Sequence, residues 1–133
     1  MADRSAIRSW VDAYERVWRV PDPARLAELF SADATYSTAP YEPRIRGIDA
    51  ISAFWEAERQ QPDDVFTMTS DVVAADDGIG VVRVEVRYGD PVRQEYRDLW
   101  IIALASDGKC KAFEEWPFWP PGTSGGWASG GTT

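Results

Sequence analysis

Between residues 5 and 19 the apolar side chains Ile7, Trp10, Val11, Tyr14 and Val17 or Trp18 recur at steps of three and four, which sets them on one face of a helix. Pro21 ends that helix. Asp22 followed by Pro23 reads as a second helix start, with an acceptor side chain at the cap and proline at the first helical position, and Leu26, Leu29 and Phe30 form its buried edge. Residues 33–38 read as a short strand. The prolines at 40 and 43 exclude regular pairing and predict a loop that ends near Gly47. Ile48, Ile51, Phe54 and Trp55 then return to helical spacing and predict a third amphipathic helix, reaching to Gln60-Gln61-Pro62.

After Pro62 the period shortens to two. Residues 65–75 alternate and are rich in β-branched side chains, Asp76-Asp77-Gly78 is a turn, 80–88 alternate again, and Gly89-Asp90-Pro91 is a second turn. A long strand follows over 93–105, a turn at Ser106-Asp107-Gly108, and a last strand over 111–118. Three helices and one strand thus precede a four-strand antiparallel meander, an α+β order. From Pro121 onward glycine, serine and threonine dominate, which predicts a mobile tail over 121–133 beyond a single domain spanning 1–120.

Composition narrows the chemistry. The 133 residues are 44% hydrophobic and 13% aromatic, with seven Trp, five Tyr and five Phe, enough rings for one core and a cavity within it. The formal charge of −8 and only two Lys oppose binding to nucleic acid. No apolar run approaches the length of a membrane span and no charged-then-apolar leader opens the sequence, so a soluble, cytoplasmic protein is expected. The absence of His removes the usual neutral-pH proton shuttle, the Ser-His and Cys-His pairs and the commonest metal ligand. Catalysis would fall to carboxylates, Tyr or Arg. Asp63-Asp64 and Asp76-Asp77 suit turn solvation better than a calcium loop, and Cys110 has no internal disulfide partner. No metal site and no cofactor motif is expected.

The segments Ala27-Glu28-Leu29-Phe30, Ala32-Asp33-Ala34-Thr35-Tyr36, Ile45-Arg46-Gly47-Ile48-Asp49-Ala50-Ile51 and Phe54-Trp55, with Trp100, Asp107-Gly108 and Phe113-Glu114-Glu115-Trp116, resemble the nuclear transport factor 2-like superfamily and, within it, the SnoaL-like group. The resemblance covers about residues 5 to 119. It implies a cone in which three N-terminal helices pack on a strongly curved, mixed but mainly antiparallel sheet, and a fold that hosts isomerases, cyclases, dehydratases, epoxide hydrolases, binding proteins and transport factors. It also implies pairing of two copies through the outer sheet face, consistent with apolar residues on both faces of 96–105.

Two branches of the superfamily suggest site residues. Phe113-Glu114-Glu115 resembles the aromatic-x-Asp element of limonene-type epoxide hydrolases, with Glu115 in the acid's place, and Arg83-Val84-Glu85 resembles their earlier Arg-x-Asp element. Alternation allows only one of Glu114 and Glu115 to face a cavity. It also allows Arg83, Glu85 and Arg87 to form a solvated face opposite Val82, Val84, Val86 and Tyr88. Tyr14 and Asp98 resemble the oxyanion donors of the ketosteroid-isomerase branch, a phenol beside an acid kept neutral by an apolar pocket. The general base of that branch follows the first strand, where Ser37, Thr38, Ala39 and Pro40 stand here. Tyr14 also suits a plain core tyrosine, and Asp98 a salt bridge to a neighbouring Arg. Trp18, Tyr36, Tyr41, Trp55, Phe66, Trp100, Trp116 and Phe118 are candidates to line a pocket for a small apolar molecule. Two functions follow from these residues. One is an acid/base enzyme without a cofactor, built on Glu115, Asp98 and Tyr14 with Arg83 and Glu85 as auxiliaries; the other is a non-catalytic carrier of a hydrophobic ligand.

Overall fold

The computed structural model describes residues 4–20, 22–58 and 65–122. The expected helix stop at Pro21, the end of the third helix near Pro62, the Asp63-Asp64 pair and the tail from 123 onward lie outside those residues. Helix α1 spans Arg4–Arg19 and buries Ile7, Trp10, Val11, Tyr14 and Val17 along one stripe. Asp22 caps α2 (Pro23–Leu29) by accepting the Ala24 N–H at 3.0 Å. Strand β1 (Phe30–Ser37) begins three residues before the expected Asp33, because Phe30 closes α2 in an already extended conformation. A two-residue strand β2 (Ile45–Arg46) lies where a loop was expected and pairs antiparallel with β1. The prolines block pairing only as far as 43, and Gly47, at φ 88°, turns the chain back to donate to Ala34 O at 2.8 Å. Helix α3 follows over Ile48–Glu58.

The meander consists of β3 (Phe66–Asp76), β4 (Ile79–Tyr88), β5 (Gln94–Leu104) and β6 (Cys110–Phe118). Asp77 and Gly78 both take positive φ, which matches the turn twist to that of β3 and β4. The six strands form one open sheet in the order β2-β1-β6-β5-β4-β3, with β1 parallel to β6 and the other pairs antiparallel. Helices and the inner sheet face enclose a single core that includes Val11, Tyr14, Ile51, Val82, Val84, Trp100, Ile102 and Phe113. Gly80 lets β4 approach α1, since a Cβ there would lie 2.6 Å from Ile7. Among the described residues no helix is long and apolar enough to cross a membrane.

The outer face carries Arg83 beside Asp71 (3.8 Å), Arg87 beside Glu85 and Glu95 (3.0 and 3.6 Å), and Arg97 beside Glu95 (3.3 Å). Next to these charges Val81, Leu99, Ile101, Ala103 and Trp116 are half-buried. At the far edge of the sheet, Gly89 donates to Val65 O at 2.7 Å. That bond fixes the ladder so that Phe66, Ser70 and Val72 turn their carbonyls away from β4. Three arginines of α1 meet those carbonyls: Arg19 donates to Phe66 O and Arg8 to Ser70 O, each at 3.1 Å, and Arg4 donates to Val72 O. An edge strand that would otherwise offer free acceptors is thereby occupied.

Candidate functional site

Alternation along β5 turns Tyr96, Asp98, Trp100 and Ile102 inward, and along β6 it turns Phe113 and Glu115 inward. The register pairs Trp100 with Glu115 and Asp98 with Pro117, so Asp98 and Glu115 are diagonal neighbours on the inner face. Each is only 4% exposed, and their carboxyl groups are close enough to perturb each other's ionisation. Parallel pairing sets Tyr36 of β1 beside Phe113, from where its hydroxyl donates to Glu115 Oε1 at 2.9 Å. The buried stripe of α1 brings the Tyr14 hydroxyl to 3.3 Å from that of Tyr36. On β5 the Trp100 indole N–H donates to Asp98 Oδ2 at 3.3 Å. Asp98 Oδ1 receives no N–H or O–H donor from the described side chains.

These groups lie in a cavity otherwise walled by Trp18, Phe54, Phe66, Met68, Val86, Tyr88 and Tyr96. Its interior free volume is about 30 Å³, room for roughly two waters, so any larger ligand must displace some of those side chains. Among the described residues no Arg or Lys lines it. Two carboxylates cannot both stay ionised in contact at this depth without a cation, so the pair retains a proton. Burial, reinforced by the Asp98 charge, holds Glu115 well above the usual carboxylate range. Burial also raises Asp98 to about 7, against the opposing hydrogen bonds from Trp100 and Glu115. Burial and the Glu115 charge raise Tyr14 and Tyr36 well above their ordinary value, so both phenols remain protonated at neutral pH. The site then holds one acidic proton and one acceptor in contact, inside an apolar wall, with phenolic donors beside them.

Of the residues singled out in the sequence, Glu115, Asp98, Tyr14, Tyr36, Trp18, Phe66 and Trp100 converge on this cavity. Trp55 is buried behind it, with its ring centroid 4.9 Å from those of Tyr14 and Trp18. Five others are elsewhere. Arg83 and Glu85 are on the outer face, because Val82, Val84 and Val86 take the inner one. Trp116 and Phe118 share the parity opposite to Glu115; Trp116 donates to Glu114 Oε1 at 3.2 Å and Phe118 is 60% exposed. Tyr41, in the proline loop, is fully exposed. Tyr88, Tyr96, Phe54, Met68 and Val86 were not singled out, although alternation along β4 and β5 and the helical stripe of α3 already turned four of them inward. Cys110 is buried on β6, where burial pushes its thiol up to about 12 and leaves it unreactive. Among the described residues no three His, Cys, Asp or Glu side chains cluster as metal ligands would.

The SnoaL-like domain matches residues 8–113, and the chain belongs to that family. No curated protein matches it. Among solved structures, an epoxide hydrolase/cyclase-like enzyme, SalBIII, of pyran ring formation in the polyether salinomycin superposes with a TM-score of 0.70 at 17% identity, over 91% of this chain and 95% of that one. An LEH-like epoxide hydrolase of M. tuberculosis gives 0.67 at 16% identity, over 87% and 84%. A candidate ketosteroid isomerase from Kribbella flavida DSM 17836 gives 0.66 at 18% identity, over 90% and 82%. At these identities the likeness is one of fold.

Proposed function

We propose that the protein is an acid/base enzyme working through side chains alone on a small, uncharged, largely apolar molecule. The observation that carries this reading is the contact between two buried carboxyls, Asp98 and Glu115, at the floor of a ring-walled cavity whose described lining carries no cation. A carrier of apolar ligands gains nothing from such a pair, since burying carboxyls is costly and satisfied apolar walls suffice for binding. One carboxyl accepts a proton while the other gives one. For an epoxide, the ionised carboxyl takes a proton from water as the water oxygen bonds to a ring carbon. The ring C–O bond breaks, and the neutral carboxyl protonates the departing oxygen. The proton now on the first carboxyl passes to the second and restores the starting state. Tyr14 and Tyr36 orient the pair. The epoxide hydrolase and cyclase structures of like fold support strained cyclic ethers as the first substrates to try.

Turnover of a panel of epoxides, lactones and enones by the wild type, Asp98→Asn and Glu115→Gln tests the reading. Product formed by the wild type and lost in both variants supports it. Tight binding of panel members without product, undiminished in the variants, overturns it in favour of a carrier. Pairing of two copies through the outer face, over Leu99, Ile101 and Trp116, belongs to the same proposal: these half-buried apolar side chains form one patch on β5 and β6.

A further inference from the structure

We propose that Trp100 is a positioning residue that selects the order in which the two carboxyls ionise: its indole N–H, held against Asp98 Oδ2, makes Asp98 the proton acceptor and leaves the proton on Glu115. The inference rests on the reading of the pair as an acid/base site and assigns a direction to it.

Solvent exposure does not separate the two acids, since both are 4% exposed. Their donors differ in kind. Glu115 faces the Tyr36 hydroxyl at 2.9 Å, and a hydroxyl serves either state: it donates to a carboxylate or to the carbonyl of a neutral acid, and its oxygen can accept the acid's own proton. Tyr36 has a further outlet in the Tyr14 hydroxyl at 3.3 Å. Asp98 faces an indole N–H at 3.3 Å, which only donates and bonds more strongly to a charged acceptor than to a neutral one. An obligate donor on one acid and an adaptable partner on the other favour charge on the first.

The indole is not free to turn away. Trp100 is 2% exposed, and its ring centroid is 4.6 Å from that of Tyr14 and 5.2 Å from that of Phe113. Asp98 and Trp100 stand two residues apart on one strand, so the pleat sets their spacing. The other titratable groups acting on the pair are Tyr14 from α1, Tyr36 from β1, Glu58 from α3 and Tyr88 from β4. The tyrosines are neutral in this range and do not rank the acids. The Glu58 charge disfavours ionised Glu115, in the same direction as the indole.

The test is a titration by NMR of the full chain, with carbon-13 at the Asp and Glu carboxyls and nitrogen-15 in Trp. Three results are expected: the Asp98 carboxyl ionises before that of Glu115; the Trp100 Nε1–H resonance moves with the Asp98 midpoint; and Trp100→Phe raises that midpoint by about one unit, a tenfold loss in acidity. First ionisation at Glu115 overturns the proposal, as does an unmoved midpoint in Trp100→Phe. If that variant does not fold, the wild type decides alone: a Trp100 N–H that stays flat across the Asp98 midpoint overturns the proposal. The titration needs no substrate, so it can succeed where the enzymatic reading fails. Loss of that reading would show instead as Asp98→Asn turning over a substrate as fast as the wild type.

Discussion

The Tyr36 hydroxyl lies 2.9 Å from Glu115 Oε1, across the parallel pairing of β1 with β6. Removing that hydroxyl leaves a buried carboxyl oxygen without its donor, which costs about 1–3 kcal/mol. Tyr36→Phe should therefore lower the midpoint of denaturant unfolding with an unchanged slope. It should also disturb the Glu115 proton, seen as a shifted pH optimum in any reaction the site performs. An unaltered unfolding midpoint would mean that the hydroxyl bond contributes nothing net.

Stability should fall as pH rises. The carboxyl of Asp98 has an ordinary value of 3.8 and sits at about 7 in the folded protein. Between those limits the unfolded chain has released the proton and the folded chain still holds it, so each step upward in pH favours unfolding. At about 1.4 kcal/mol per unit this amounts to roughly 4 kcal/mol, and Glu115 acts in the same direction. The melting temperature should be higher at pH 5 than at pH 8. Asp98→Asn should flatten that dependence and be more stable than the wild type at pH 8. Parallel pH profiles for the two proteins would contradict this account.

Catalysis should separate the two faces of the sheet. On a substrate that the wild type turns over, Asp98→Asn and Glu115→Gln should each lower kcat/KM by about 10²–10⁴-fold. Arg83→Ala and Glu85→Gln should leave it unchanged, since both residues lie on the opposite face in exposed ion pairs. Their effect on stability should stay below about 1 kcal/mol. A hundredfold loss in Arg83→Ala would place the chemistry on the wrong side of the sheet.

If two copies meet through the outer face, Ile101→Glu should abolish the pairing. Ile101 is half-buried and stands opposite Glu114 in the register, so a second carboxylate there adds like-charge repulsion to the loss of apolar surface. Sedimentation should show wild-type dimers and variant monomers at the same concentration. A wild type that sediments as a monomer would remove the proposal.

Local periodicity made most of the fold legible. The stripe from Ile7 to Val17, the cap at Asp22 and the turns at Gly78, Gly89 and Gly108 depend on neighbours within a few residues. The SnoaL-like segments supplied the architecture that those local signals alone do not. The site was less legible because it depends on pairings distant in sequence. Tyr36 and Glu115 are 79 positions apart and meet only through the parallel contact of β1 with β6, which no turn signal announces. Parity held information that spacing obscured. With Glu115 inward, Trp116 and Phe118 must point outward, and with Val82 and Val84 inward, Arg83 and Glu85 must do the same. Rings on both faces of β6 hid which glutamate was the buried one.

The arginines of α1 that occupy the β3 carbonyls are 68, 62 and 47 residues ahead of their partners. During synthesis α1 leaves the ribosome first, so the exposed strand edge meets a waiting cap as soon as it forms. A circular permutant opened just before β3 would reverse that order. It would contain every contact of the native fold and yet display a bare edge through most of its translation, the interval in which neighbouring nascent chains add strands to one another.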